Sequence, residues 1–135
     1  MTKSEPLEWT LFVVRLIVGI AFIMHGGQKI AGSIGTFGSQ GFATAHSPLL
    51  ACLAPITELI GGGLILAGIL IEVGTILVIP VMFFTFLACN PRYLMEQANI
   101  KYILNLTMLA IAIGICGPGK WALWDPGKYL RKKIF

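Results

Sequence analysis

Charge is what this sequence has least of. Only 12% of its 135 residues are Asp, Glu, Lys or Arg, about half the share usual in a soluble domain. Hydrophobic residues make up 56%, and the mean hydropathy is +0.84. Histidine and cysteine are scarce too, at two and three residues. No CxxC or other metal-ligand spacing occurs, so no metal site is expected. A GxGxxG or Walker pattern is missing, as is any Ser–His–Asp arrangement, and nucleotide binding and triad hydrolysis lose their support. No basic patch interleaved with aromatics lies outside the C-terminal tail. The net charge of +4 therefore reads as membrane orientation rather than nucleic-acid binding.

Long apolar stretches fill most of the chain. They predict four helices, over 7–30, 49–71, 73–89 and 100–117, followed by a basic, aromatic tail at 118–135. Each is near the roughly 20 residues that cross the hydrocarbon core. Bare backbone finds no partner in lipid, so the spans must be helical. Barrel strands would be shorter and would alternate. The expectation is an all-α, polytopic membrane protein: one domain over 1–135, built as an antiparallel bundle of four transmembrane helices. Acidic Glu5 and Glu8 at the start of the first run, and Arg15 within it, argue against a signal peptide. With four spans both termini share a side. Lys3, Lys120, Lys128, Arg131, Lys132 and Lys133 lie there, against Lys29, Arg92 and Lys101 on the other. That bias places both termini in the cytoplasm, with the chain in the plasma (bacterial inner) membrane. Trp9, Trp121, Trp124 and Tyr129 then mark the cytoplasmic interface.

An ionisable side chain at membrane depth is a functional candidate by default. Arg15, Val18, Phe22, His25 and Lys29 recur at spacings of 3, 4, 3 and 4 and share one face of the first helix. Glu58 is the one acid well inside a span. Counting ~1.5 Å per residue from the helix ends brings Arg15 within reach of it, with Lys29 higher. The expected arrangement is a carboxylate between two cations. Two readings of it stand side by side: an ion pair that fixes helix register, and a ligand or proton site. The candidate ligand-binding residues are Arg15, His25, Lys29, Glu58 and Asn105, and the catalytic candidates are His25 and Glu58. Asn105 is expected to hydrogen-bond Glu58, a ligand or a neighbouring helix. Gly61, Gly62, Gly63 and Gly68 suit close backbone approach. Cys52 begins the second helix and Cys89 ends the third, so both are expected at the outer face, either as a redox pair on an oxidising side or as small buried fillers. His25 and His46 lack any motif that would support haem or metal ligation.

Four features occur in order along the chain: Arg15 with Gly19, HGGQK at 25–29, ELIGG at 58–62 with Gly68, and GPGKWALWD at 117–125. Together they resemble the DoxX family of small membrane proteins over most of the chain. The tail departs from the family pattern by Trp124, inserted before Asp125. The resemblance implies a four-helix membrane bundle. It also implies kinship with membrane subunits of thiosulfate:quinone oxidoreductase and with thiol and oxidative-stress systems that partner soluble redox enzymes.

Two functions follow. The first is a membrane component of a redox system that handles a quinone or a small sulfur compound. There His25 and Lys29 supply donors, Glu58 relays a proton, Arg15 orients it and Asn105 completes the pocket. The second is a non-catalytic subunit or membrane anchor, whose basic tail docks a protein partner or anionic lipid. A homo-oligomer fits either. A solute transporter lacks support, since no internal repeat is visible.

Overall fold

The computed structural model describes residues 5–35, 48–88 and 97–127. Among them the chain is helical, without a named strand: α1 Glu5–Gly35, α2 Pro48–Ala67, α3 Ile71–Ala88 and α4 Gln97–Cys116. These are the four helices expected, with shifted ends. The segment Glu5–Ala31 is long and apolar enough to cross a membrane. Leu53–Ala67, Ile71–Phe84 and Lys101–Cys116 are shorter apolar helices.

Glycines set how α1 and α2 meet. A Cβ on Gly19 would come within 2.8 Å of Leu66 backbone, and one on Gly26 within 2.8 Å of the Pro55 carbonyl oxygen. A Cβ on Gly62 would strike Phe22 Cβ at 2.8 Å. Positions rise along α1 as they fall along α2, so the pair is antiparallel. Gly61 against Val78, and Gly74 against Ile65, make α2 and α3 antiparallel as well. Gly114 against Thr75 seats α4 on α3, and His25 against Tyr102 returns α4 to α1. The four helices thus close a ring around Val18, Phe22, Ile65, Val78, Leu106 and Ile113.

The glycine contacts yield a graded prediction. Gly19→Ala is expected to cost about 1–3 kcal/mol, because Leu66 backbone must move. Gly63→Ala, with nothing within 4 Å of the added carbon, is expected to be neutral or stabilising by up to about 1 kcal/mol. Thermal unfolding of the two purified variants checks the order.

Helix α2 is shorter, and the α2–α3 connection longer, than the apolar run suggests. The run reads through to residue 71, but α2 stops at Ala67. Gly68 follows at φ +68°, where it donates its N–H to the Ile65 carbonyl at 3.1 Å while Ile69 donates to Leu64 at 3.0 Å. This is a Schellman cap, and the left-handed residue in it favours glycine. The segment after α4 folds back onto this turn. Trp124 N–H donates to the Gly68 carbonyl and Leu70 N–H to the Trp124 carbonyl, each at 3.2 Å. Trp124, which departs from the family pattern in the sequence, is thus the residue that bridges to Ile69.

Candidate functional site

The ionisable stripe of α1 faces inward, but it serves two separate layers. At the tail end of the bundle Arg15 is 2% exposed. Its guanidinium donates to the Pro118 carbonyl at 3.2 Å and the Trp121 carbonyl at 3.4 Å. Its Cζ stands 5.1 Å from the centre of the Phe12 ring, and Gly68 lies against it with no room for a side chain. Trp9, Phe12 and Trp121 pack edge to face around the position, with centroids 5.2–5.9 Å apart. The ends of α2 and α4 both lie here, so their carbonyl ends supply negative potential to the buried cation.

Arg15 therefore does not reach Glu58. The expected three-residue cluster is corrected to a pair and a separate cation. Helix register is the reason. Counting from the ends of the apolar runs sets residue 7 level with residue 71. The glycine contacts instead set Gly19 beside Leu66. The displacement is about two helical turns, on the order of 10 Å. Glu58 falls level with Gly26 and Lys29, while Gly68 falls level with Arg15.

The second layer lies at the far end. Glu58 is fully buried and accepts a hydrogen bond at Oε1 from Lys29 Nζ, 2.6 Å away. Its other oxygen, Oε2, has no hydrogen-bond partner among the described residues. One turn before Lys29, His25 stacks on Tyr102 of α4, with ring centroids 5.0 Å apart and planes at 16°. His25 Nδ1 lies 3.2 Å from the Ala21 carbonyl oxygen and 3.4 Å from the Tyr102 hydroxyl. The carbonyl only accepts. A ring protonated at Nδ1 donates to Ala21, whereas the other tautomer receives the Tyr102 hydroxyl. Beside the stack, at the α1–α4 seam, runs an open groove of about 330 Å³. Ile17, Ile20 and Met24 form its apolar wall; His25, Gln28 and Tyr102 form its polar end.

Of the other candidates, Asn105 is exposed on α4 and lies away from Glu58. The buried face of α4 is Ile103, Leu106, Ala110 and Ile113, and two residues on from Ile103 is about 200° around the helix. The Cys52 side chain, Cys89 and His46 lie outside the described residues. Tyr102 is the residue that reading the sequence missed. Its signal was faint: one phenol among aliphatic side chains in the first turns of the last helix.

The polarity is unusual at both the inside and the outside of the bundle. Arg15, Glu58 and Thr75 are buried, while Ile17, Ile60, Ile76, Phe83 and Met108 are 54–68% exposed. Four antiparallel helices around an apolar core, with two buried ionisable layers and a largely apolar exterior, define a helical bundle. The DoxX family model matches residues 10–91, and the chain belongs to the DoxX family. It is also 30% identical over 114 residues to a protein of Bacillus subtilis (strain 168) named "Putative oxidoreductase CatD", over 82% of each chain. No solved structure matches.

Proposed function

We propose that the chain is an integral membrane component of a redox system, and that the α1–α4 groove holds a lipid-soluble carrier with a ring head group, of the quinone type. The observation that carries this reading is the groove itself. One continuous surface joins an aliphatic wall to the His25–Tyr102 stack and Gln28. The residues fit such a group in chemistry. His25, Gln28 and Tyr102 offer hydrogen bonds to its oxygens, and Ile17, Ile20 and Met24 offer apolar surface to its tail. When bound, the carrier would supply two-electron chemistry. Glu58 lies behind the stack with Oε2 unpartnered, a carboxylate able to take up a proton from the polar end of the groove. The relative's name supports the redox class.

The membrane part of the reading rests on the apolar exterior and the buried Arg15 and Glu58. Contiguous apolar exteriors of this extent are rare on soluble monomers, and lipid removes their cost. The plasma membrane, with both termini in the cytoplasm, accommodates the lysine and arginine bias. The aromatic cluster at Trp9 and Trp121, with Lys120 Nζ 4.9 Å from the Trp9 ring centre, suits the cytoplasmic interface.

A second reading, a non-catalytic subunit or anchor, is favoured by one observation. Both buried charged layers are engaged by protein groups, Arg15 by carbonyls and Glu58 by Lys29. Binding of a short-chain quinone to the purified protein separates the two. Tyr102→Phe and His25→Ala are each expected to weaken binding about tenfold, the equivalent of one hydrogen bond of ~1.4 kcal/mol. An anchor gives no saturable binding in wild type or either variant. Loss of quinone-dependent activity in Glu58→Gln, with binding retained, would assign the carboxylate to proton transfer.

A further inference from the structure

Four described threonine hydroxyls of the helices are satisfied locally. Thr10 donates to Pro6 at 2.8 Å, Thr57 to Ala54 at 2.9 Å, Thr75 to Glu72 at 3.0 Å and Thr107 to Ile103 at 2.7 Å, all carbonyls of their own helix. A threonine thereby enters an apolar environment at little cost. Asn105 has no such solution. It stands exposed about one turn inward of Lys101, and no hydrogen bond of its carboxamide is found among the described residues. It lies on a stripe with Lys101, Met108, Ala112 and Cys116, at spacings of 4, 3, 4 and 4, and all five residues are exposed.

We infer that the chain forms a homodimer in the membrane through this face of α4, with Asn105 of one copy hydrogen-bonded to Asn105 of the other. The inference rests on the membrane reading above, because lipid offers a carboxamide no partner. What covers the face must bring a donor and an acceptor at the depth of Asn105. A carboxamide carries both, so it complements itself. A second copy inserted with the same topology presents it at the same depth by symmetry, through a two-fold axis along the membrane normal. Ala112, two turns further along the stripe, leaves room for the backbones to approach. Lys101 meets its copy only at the aqueous end, where long side chains swing apart into water. The same axis sets Cys116 opposite Cys116.

The test uses the full chain with Cys52→Ser and Cys89→Ser, so that Cys116 is the remaining cysteine, in phospholipid vesicles at high lipid dilution. Copper phenanthroline is expected to join two copies through Cys116. Asn105→Leu is expected to raise the dissociation constant in the vesicles about tenfold, and Asn105→Gln to restore it. Ala112→Phe blocks the same face by bulk and is expected to lower crosslinking independently. Ile76→Trp, on an exposed face of α3, should change nothing. Absence of the Cys116 crosslink in the parent, or equal crosslinking in the Asn105→Leu and Ala112→Phe variants, overturns the dimer. Alkaline extraction of native membranes separates the underlying reading. Release of the chain into the supernatant sinks the membrane assignment itself. A chain that stays in the pellet but does not crosslink sinks only the dimer.

Discussion

Lys29→Met is expected to destabilise the protein by about 3–5 kcal/mol, because it leaves a fully buried carboxylate without its cation. The reverse change should be milder. Lys29 is 27% exposed at its side chain, so in Glu58→Gln the ammonium can turn toward the nearby helix end and water. The expected order of thermal stability is therefore wild type, then Glu58→Gln, then Lys29→Met. The double variant Lys29→Met with Glu58→Met should regain much of the loss, since a well-packed apolar pair is often no worse than a buried ion pair. If both single variants fall equally and the double falls by their sum, the two side chains act independently and the pair is not a unit.

Arg15→Met should release the segment after α4. The substitution removes both hydrogen bonds to the Pro118 and Trp121 carbonyls, each of the charge-assisted kind that contributes about 1.5–3 kcal/mol. Relief of the buried charge offsets part of this, so the effect on global unfolding should be smaller than that on the tail. What remains is Lys120 N–H on the Glu8 carbonyl and the two bonds between Trp124 and the Gly68–Leu70 turn. Trypsin is the readout: Lys120 is expected to be cut at least tenfold faster in the variant. An unchanged rate would mean that the tail is held by its backbone pairing and aromatic packing alone. Arg15→Lys should behave like Arg15→Met, because a single ammonium does not span two carbonyls as the guanidinium fork does.

The four helices were legible because apolar composition and helix periodicity are read over long stretches, and each apolar run exceeded 15 residues. The inward stripe of α1 was legible for the same reason: Arg15, Val18 and Phe22 are all buried. Register was not. Hydropathy says where a helix lies, but the depth at which two helices meet is decided by a few small residues such as Gly19, Gly26 and Gly62. A two-turn shift leaves the hydropathy of either helix unchanged while replacing one partner of Glu58. Gly68 illustrates a related ambiguity. A glycine near the end of an apolar run reads equally as a packing notch or as a helix stop, and here it is a stop that also seats Arg15. Asn105 read as an interior residue because polar groups in apolar runs usually point inward. Its phase relative to Ile103 and Leu106 already placed it outside.

The Arg15 cradle also dictates an order of biogenesis. The hydrogen bond from Arg15 to Pro118 spans 103 residues of sequence. At translation rates of about 5–20 residues per second, the first helix waits on the order of 5–20 s before its acceptor is made. Throughout that interval the nascent protein carries, within its first apolar segment, a cation whose carbonyl acceptors do not yet exist. Helices one to three can associate through their glycines, but the assembly stays open at one end until Gly117 to Trp124 emerge and close it. A ribosome stalled before codon 117 would therefore leave a recognisably unfinished protein, with an orphaned arginine for quality control to detect.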